Sequence, residues 1–382
     1  MLEKRYKIVY CTPSLYMAGG VERVLSLKAN YFADKYGYDI TIITTDGNEN
    51  DFFFPLSDKV KVINLGIHFD EMWHQTFIKR VCIYLPKERE FKRRLSIELN
   101  RIKPDITISL LRREINFLTD IQDGSKKIGE IHINRAYYRN FTPNRTNLLK
   151  SLFAKLWMHG LVGKLKKLDR FVVLTEFDRQ AWQEIPRVDV IPNPLPFFPK
   201  QIPHSRPKRI IAVGRYFDEK GYDMLLKSWA IVEKVCQDWS LDIYGDGNRW
   251  YYEKIALSLG LDMSRCGLND TISDVEKEYI NSSLFVCTSR FEGFGMGIIE
   301  AMSCGLPVVA FDCLWGPRSI ITDGEDGILV ENGNIEGIAS SIISLICSPN
   351  KIMEMGLAAR RNVKRYSIET IAQKWKRLFD SL

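Results

Sequence analysis

The chain has 382 residues, of which 45% are hydrophobic and 26% charged, and a formal net charge of +7. That length exceeds one ordinary hydrophobic core, so two domains are expected, and the composition is that of a soluble globular protein. No apolar run is long enough to span a bilayer, the N-terminal apolar stretch is too short for a signal-peptide core, and eight scattered cysteines without a C-x-x-C pair fit reduced thiols in a cytosol better than zinc or a disulfide framework.

In chain order, Lys7 to Cys11 reads as a strand, followed by a loop over Thr12 to Gly20 and a helix over Val21 to Tyr36. Asp39 to Thr44 is a second strand, and Val60–Asn64, Ile106–Leu110, Lys127–His132 and Phe171–Leu174 continue the series. The alternation implies a parallel sheet covered by helices on both faces. Between these strands lie two basic stretches. Lys79, Arg80, Lys87, Arg89, Lys92, Arg93, Arg94, Arg101 and Lys103 are interleaved with Trp73, Phe77, Tyr84 and Phe91. Lys150, Lys155, Lys164, Lys166, Lys167 and Arg170 stand beside Leu152, Phe153, Leu156 and Trp157. Such a mixture suits an anionic membrane surface and suits nucleic acid less well. The plain alternative is a solvated helix face whose long side chains cover apolar surface.

A proline-rich break follows, in Ile191-Pro192-Asn193-Pro194-Leu195-Pro196 with Pro199, Pro203 and Pro207 beyond it. Prolines remove ladder donors and stiffen the chain, so this is the linker. The pattern then restarts, with strands at Arg209–Val213, Ser240–Tyr244, Leu284–Cys287 and Val308–Phe311 and a helix over Tyr222 to Val235. Ser367 to Leu382 forms a closing amphipathic helix with Ile371, Trp375 and Phe379 on one face. The expected division is 1–195, 196–366 and a C-terminal helix, 367–382, returning to the first domain. The two doubly wound α/β halves would face each other across a cleft, since ligands in open α/β sheets sit beyond the carboxyl ends of the strands.

The chemistry concentrates at those strand ends. Glu292 and Glu300 flank a loop bearing Gly293, Gly295 and Gly297, which leads from a strand into a helix. Bare amides at a helix N-terminus attract phosphate, and glycines let a ligand approach them. Carboxylates beside a phosphate are costly unless they accept hydrogen bonds from hydroxyls, which a sugar or ribose supplies. The segment therefore suggests a nucleotide-sugar site. Arg215 and Lys220, after the strand ending at Val213, can clamp a diphosphate, although such a pair is often only surface. Gly19 and Gly20 lie at the equivalent mouth of the first half, where a plain helix start is an equal reading. His132, closing a strand of the first half, reads by itself first as a hydrogen-bonded structural histidine. No Asp-x-Asp pair, Walker loop, G-x-S-x-G elbow or H-E-x-x-H occurs, and the glycines at 293, 295 and 297 do not fit the dinucleotide fingerprint.

These motifs together resemble the family-4 retaining glycosyltransferases of the two-domain B-type fold. The matching stretches are GGVERVL from Gly19, LTEFDRQAW from Leu174, VIPNPL from Val190, AVGRYFDEKGYDMLLKSW from Ala212, YGDG from Tyr244, TSRFEGFGMGIIEAMSCGLPVVAFD from Thr288 and GPRSIITDGEDGILVENGN from Gly316. The R-x4-K pair followed by E-x7-E is the specific part. Ser319 departs from the pattern, because relatives usually carry a glutamate there. No family motif covers the basic region from about Asp70 to Arg101.

The resemblance implies a hexose or N-acetylhexosamine transferase that uses a nucleoside diphosphate donor, by frequency a uridine one. Arg215 and Lys220 would hold the diphosphate, and the amides around Phe294, Gly295, Met296 and Gly297 would contact phosphate and sugar. Glu292 would bind sugar hydroxyls and Glu300 the ribose. Gly19 and Gly20 would approach the diphosphate, with His132 near the donor sugar. No cofactor or metal is expected. The acceptor would be a saccharide, lipid-linked, in surface polysaccharide synthesis, and the protein cytoplasmic or peripheral on the inner face of the plasma membrane. An epimerase, a phosphorylase and a non-catalytic sugar-nucleotide binder are the alternatives.

Overall fold

The computed structural model describes residues 4–47, 52–72, 76–135, 138 and 148–382. Trp73 of the first basic stretch lies outside them, as do the side chains of Phe77, Arg80, Lys150, Leu152 and Phe153. The chain divides into two compact units. One comprises Met1–Pro194 with Ile368–Leu382, and the other Leu195–Ser367.

The first unit runs β1 (Lys7–Cys11), α1 (Gly20–Lys35), β2 (Asp39–Thr44), β3 (Lys61–Asn64), α2 (Phe77–Ile102), β4 (Ile106–Ser109), β5 (Lys126–Glu130), α3 (Leu148–Leu165), β6 (Arg170–Val173), α4 (Glu176–Ala181) and β7 (Val188–Val190). The seven strands pair in parallel in the order β3-β2-β1-β4-β5-β6-β7. The central strands β2, β1 and β4 are buried along nearly their whole length, small polar residues such as Thr107 and Ser109 included, as a sheet covered on both faces requires. Ile8, Val9 and Tyr10 of β1 and Ile40 and Ile42 of β2 are fully buried. In α2, Phe91, Leu95 and Leu99, spaced four apart, are buried, while Arg89, Lys92 and Arg93 face outward. The strand expected over Lys127–His132 runs from Lys126 to Glu130, with one further backbone bond from Ile131 N to Val172 O at 3.0 Å; the Glu130 carboxylate is buried against Lys28 of α1.

The second unit holds β8 (Arg209–Val213), α5 (Tyr222–Val235), β9 (Ser240–Tyr244), α6 (Arg249–Ser258), β10 (Cys266–Asn269), α7 (Val275–Ile280), β11 (Leu284–Cys287), α8 (Met296–Ser303), β12 (Val308–Phe311), α9 (Pro317–Ile320), β13 (Gly327–Val330), α10 (Ile335–Ile346) and α11 (Pro349–Asn362). Its six strands are also parallel, in the order β10-β9-β8-β11-β12-β13. The chain order reverses between β8 and β11, the switch point at which such sheets place ligands. One continuous cluster, with Leu226, Trp229, Ile243, Leu284 and Ile342 at its centre, fills the layer between sheet and helices.

α12 (Ile368–Asp380) belongs to the first unit. Ile371, Ala372, Trp375, Leu378 and Phe379 form its buried stripe, which packs on α1. The Phe379 ring lies 5.8 Å from that of Phe32, and Tyr6 donates a hydrogen bond of 2.9 Å to Asp380 Oδ1. The stripe recurs every three or four residues, the spacing that keeps one helix face against a neighbour.

Candidate active site

The site of the second unit is assembled at the carboxyl ends of β8 and β11. After β8 the chain passes Gly214 and Arg215 and makes a tight 3-10 turn, Asp218–Lys220, that ends on Gly221. Gly221 has φ 63°, and a Cβ there would lie 2.1 Å from the Thr288 carbonyl oxygen, so only glycine fits. After β11, the loop 288–295 leads into α8. Its N-cap Gly295 takes φ 106°, and the first-turn amides of α8, at Met296 and Gly297, lack intrahelical partners as at any helix start. Together with the helix dipole they form an anion-attracting end.

Lys220 and Glu292, 72 residues apart, are in direct contact. Lys220 Nζ donates to Glu292 Oε1 at 2.7 Å, and the two side chains are only 21% and 14% exposed. Ser289 Oγ donates to the same oxygen, also at 2.7 Å. Burial would pull the Lys220 ammonium down, but the Glu292 carboxylate overcomes it and holds the group above its ordinary value. Lys220 is therefore a cation at any physiological pH. Arg215, half-exposed, reaches Glu219 at 2.8 Å. Both cations thus hold carboxylates in this structure. An incoming diphosphate would exchange carboxylate contacts for phosphate ones rather than fill a bare positive pocket.

Glu300, 4% exposed, accepts a hydrogen bond of 3.2 Å from the buried Tyr279 hydroxyl. Phe294 packs its ring edge-on to Tyr366 at 5.4 Å, which leaves its backbone as the part of that residue able to meet a ligand. Ser319 donates to the Trp315 carbonyl at 2.6 Å and accepts from Tyr366 through its own carbonyl at 3.1 Å. The serine closes a local turn.

Four features escaped the sequence reading: Ser289 on Glu292, Glu219 on Arg215, Tyr279 on Glu300, and the fork of Arg290 on Asp223 with both bonds at 2.9 Å. The Glu300 and Asp223 contacts span 21 and 67 residues, and nothing local in the sequence signals them.

Gly19, Gly20 and His132 belong to the first unit. Gly19 caps α1 and Gly20 opens it, but the Glu22 carboxylate folds back to within 2.0 Å of where a Gly19 Cβ would stand, so an acid already sits at this helix start. His132 Nε2 lies 3.2 Å from Glu130 Oε1 without hydrogen-bond geometry. Burial pushes Glu130 up, but Lys28 and His132 outweigh it and bring its carboxyl to about 2. Burial lowers Lys28 in turn. Removing either partner would leave the other group's charge buried without compensation.

Among the described residues, no group of three or more His, Cys, Asp or Glu converges to hold a metal ion. An open cavity of about 670 Å³, lined by Glu325, Cys347, Ser348, Lys351 and Glu354 among others, contains none of the candidate residues.

Comparison with known proteins bears on this site. The profile of the family described as "Glycosyl transferases group 1" matches residues 196–362. An uncharacterized glycosyltransferase of Haemophilus influenzae is 32% identical over 375 residues, covering 97% of this chain and 99% of that one. A poly(ribitol-phosphate) alpha-N-acetylglucosaminyltransferase of Staphylococcus aureus is 30% identical over 266 residues, 67% of this chain and 51% of its own. Among solved structures, an S. aureus TarM mutant in complex with fondaparinux, alpha-GlcNAc-glycerol and UDP aligns with TM-score 0.78 at 18% identity, over 98% of this chain and 100% of its own. The pneumococcal O-GlcNAc transferase GtfA with UDP and GlcNAc aligns with TM-score 0.74 at 15% identity, over 99% of both chains. These alignments match the two-domain Rossmann-like α/β fold expected from the sequence.

Proposed function

The chain belongs to the glycosyl transferases group 1 family, and from that premise we propose that it moves a hexose or N-acetylhexosamine from a uridine diphosphate sugar to a saccharide acceptor, with retention of anomeric configuration. The observation that carries this reading is the contact between Lys220 and Glu292 beside the N-terminus of α8, with Arg215 on the same strand mouth. As the bond to the anomeric carbon breaks, negative charge grows on the departing phosphate oxygen. Lys220, Arg215 and the amides of Met296 and Gly297 are the groups for that charge, and preorganised electrostatics of this kind usually supplies the largest catalytic term. These cations make a divalent metal unnecessary in the proposal.

Glu292, released from Lys220 by the diphosphate, accepts from the sugar hydroxyls, and Glu300 from the ribose. Retention then follows from attack by the acceptor hydroxyl on the face the leaving group vacates, with the departing phosphate taking the proton. Gly19, Gly20 and His132 enter the proposal on family resemblance alone. UDP or UDP-glucose is bound in several structural neighbours, and relatives are named for poly(ribitol-phosphate), poly(glycerol-phosphate) and peptide acceptors and for amylovoran biosynthesis. We extend this to a lipid-linked acceptor in surface polysaccharide synthesis, reached at an anionic membrane surface.

The test is transfer from a panel of nucleotide sugars by Lys220→Ala and Arg215→Ala. Each variant is expected to lose at least about a hundredfold in turnover, the scale of removing one preorganised donor, while melting near the wild-type temperature. Wild-type turnover in folded Lys220→Ala protein would refute the assignment.

A further inference from the structure

The turn that carries Lys220 and the loop that carries Glu292 are joined by more than that ion pair. Arg290 N donates to Glu219 O at 2.8 Å, and Arg290 Nη1 donates to Asp218 O at 2.6 Å. Thr288 Oγ1 donates to Lys220 O at 3.2 Å. All three carbonyls of the turn Asp218–Lys220 are therefore taken by residues of the 288–290 segment. The Arg290 guanidinium is itself fixed by a two-pronged bond to Asp223 in the first turn of α5, at 2.9 Å on each prong. Asn332 Nδ2 donates to the Arg290 carbonyl at 3.2 Å. Arg290 thus ties together three segments, namely the turn, the loop and the start of α5. Its guanidinium is occupied with Asp218 and Asp223 rather than with Glu292 or Lys220.

We infer that Arg290 is a positioning residue for the donor clamp: it holds the Lys220 turn at a fixed distance from the Glu292 loop, so that the ammonium and the carboxylate address diphosphate and sugar together. This rests on the donor-site reading above. A planar fork matched to a carboxylate fixes direction as well as distance, which an ammonium at the same place does not. A turn of three residues has little rigidity of its own. Its carbonyls are anchored outside it, Asp218 O by the Arg290 guanidinium, Glu219 O by the Arg290 amide and Lys220 O by Thr288 Oγ1, and the guanidinium is the anchor that also reaches α5 through Asp223.

The experiment is a double-mutant cycle read by UDP binding in calorimetry, with Arg290→Met, Lys220→Met and the pair, each checked for its melting temperature. Met keeps the stem of Arg290 and removes the fork. If Arg290 acts through Lys220, Arg290→Met weakens UDP binding roughly tenfold alone and less than about twofold in the Lys220→Met background, because residues of one network do not add. Arg290→Lys is expected to recover only part of the loss. Asp223→Asn, which loosens the fork and leaves Arg290 in place, gives a milder loss of the same kind and serves if Arg290→Met does not fold. Wild-type UDP affinity in both Arg290→Met and Asp223→Asn overturns the inference, and so does a full additional tenfold loss in the Lys220→Met background. If Lys220→Met itself leaves UDP binding unchanged, the donor-site reading fails instead, and the two failures are told apart.

Discussion

Asp178 illustrates how much a single buried group can set. It is 2% exposed, Thr175 Oγ1 donates to its Oδ2 at 3.2 Å, and its Oδ1 has no hydrogen-bond partner among the described residues. Burial raises its carboxyl from 3.8 to about 7, with Thr175 opposing only weakly. The unfolded chain releases this proton near pH 4 and the folded chain near pH 7, so between those values the folded state binds more protons. Stability from this group is therefore present in full below pH 4, falls as the pH rises through that window at up to about 1.4 kcal/mol per pH unit, and is gone above it. Asp178→Asn keeps the shape and removes the titration. Thermal melts from pH 4 to pH 8 are expected to show the variant gaining on wild type as pH rises and exceeding it at pH 8. Parallel curves for the two proteins would mean that Asp178 does not titrate in this range.

At the scale of elements, the question is what α2 and α3 present outward. On α2 much of the basic character is matched internally. Arg93 and Arg94 share Glu90, Arg101 takes Glu98, and Lys87 holds Glu71 together with the Ile67 and His68 carbonyls. Lys92 lies 3.8 Å from Asp120, Arg89 remains exposed on the helix that also exposes Leu85 and Ile97, and α3 exposes Lys155 with Leu156. Exposed cations with exposed apolar side chains are what an anionic bilayer surface selects. Flotation with vesicles containing anionic lipid is expected to recover the protein at low salt and to lose it as salt shortens the screening length. Absence from the vesicles at low salt would end the membrane proposal.

The same scale shows why some elements were legible and others were not. β1, β2, β8, β9, β11 and β12 are β-branched or apolar runs and fall where the periodicity puts them. β7 reads Val-Asp-Val, β10 Cys-Gly-Leu-Asn, and β13 is a short run entered through Gly324-Glu325-Asp326. Each is an edge or near-edge strand only three or four residues long, and its place is set by the neighbour it pairs with, not by its own pattern. The α12 stripe was legible because Ile371, Trp375 and Phe379 recur on one face. At the site, glycines and charged residues at strand ends announced Arg215, Lys220, Glu292 and Glu300. The tie from Arg290 to Asp223 did not show, since two ordinary charged residues 67 positions apart carry no signature until the fold brings them together.

For the whole molecule, the proposed transfer turns on where a nucleoside diphosphate sits. The second unit offers two cations, each holding an acid in this structure, and a helix start with bare amides. The most direct measurement is a crystal structure with UDP bound. The β-phosphate is expected within hydrogen-bonding distance of Lys220 Nζ and the amides of Met296 or Gly297, with Glu292 moved off the ammonium. UDP ordered elsewhere, with the contact between Lys220 and Glu292 intact, would contradict the proposal.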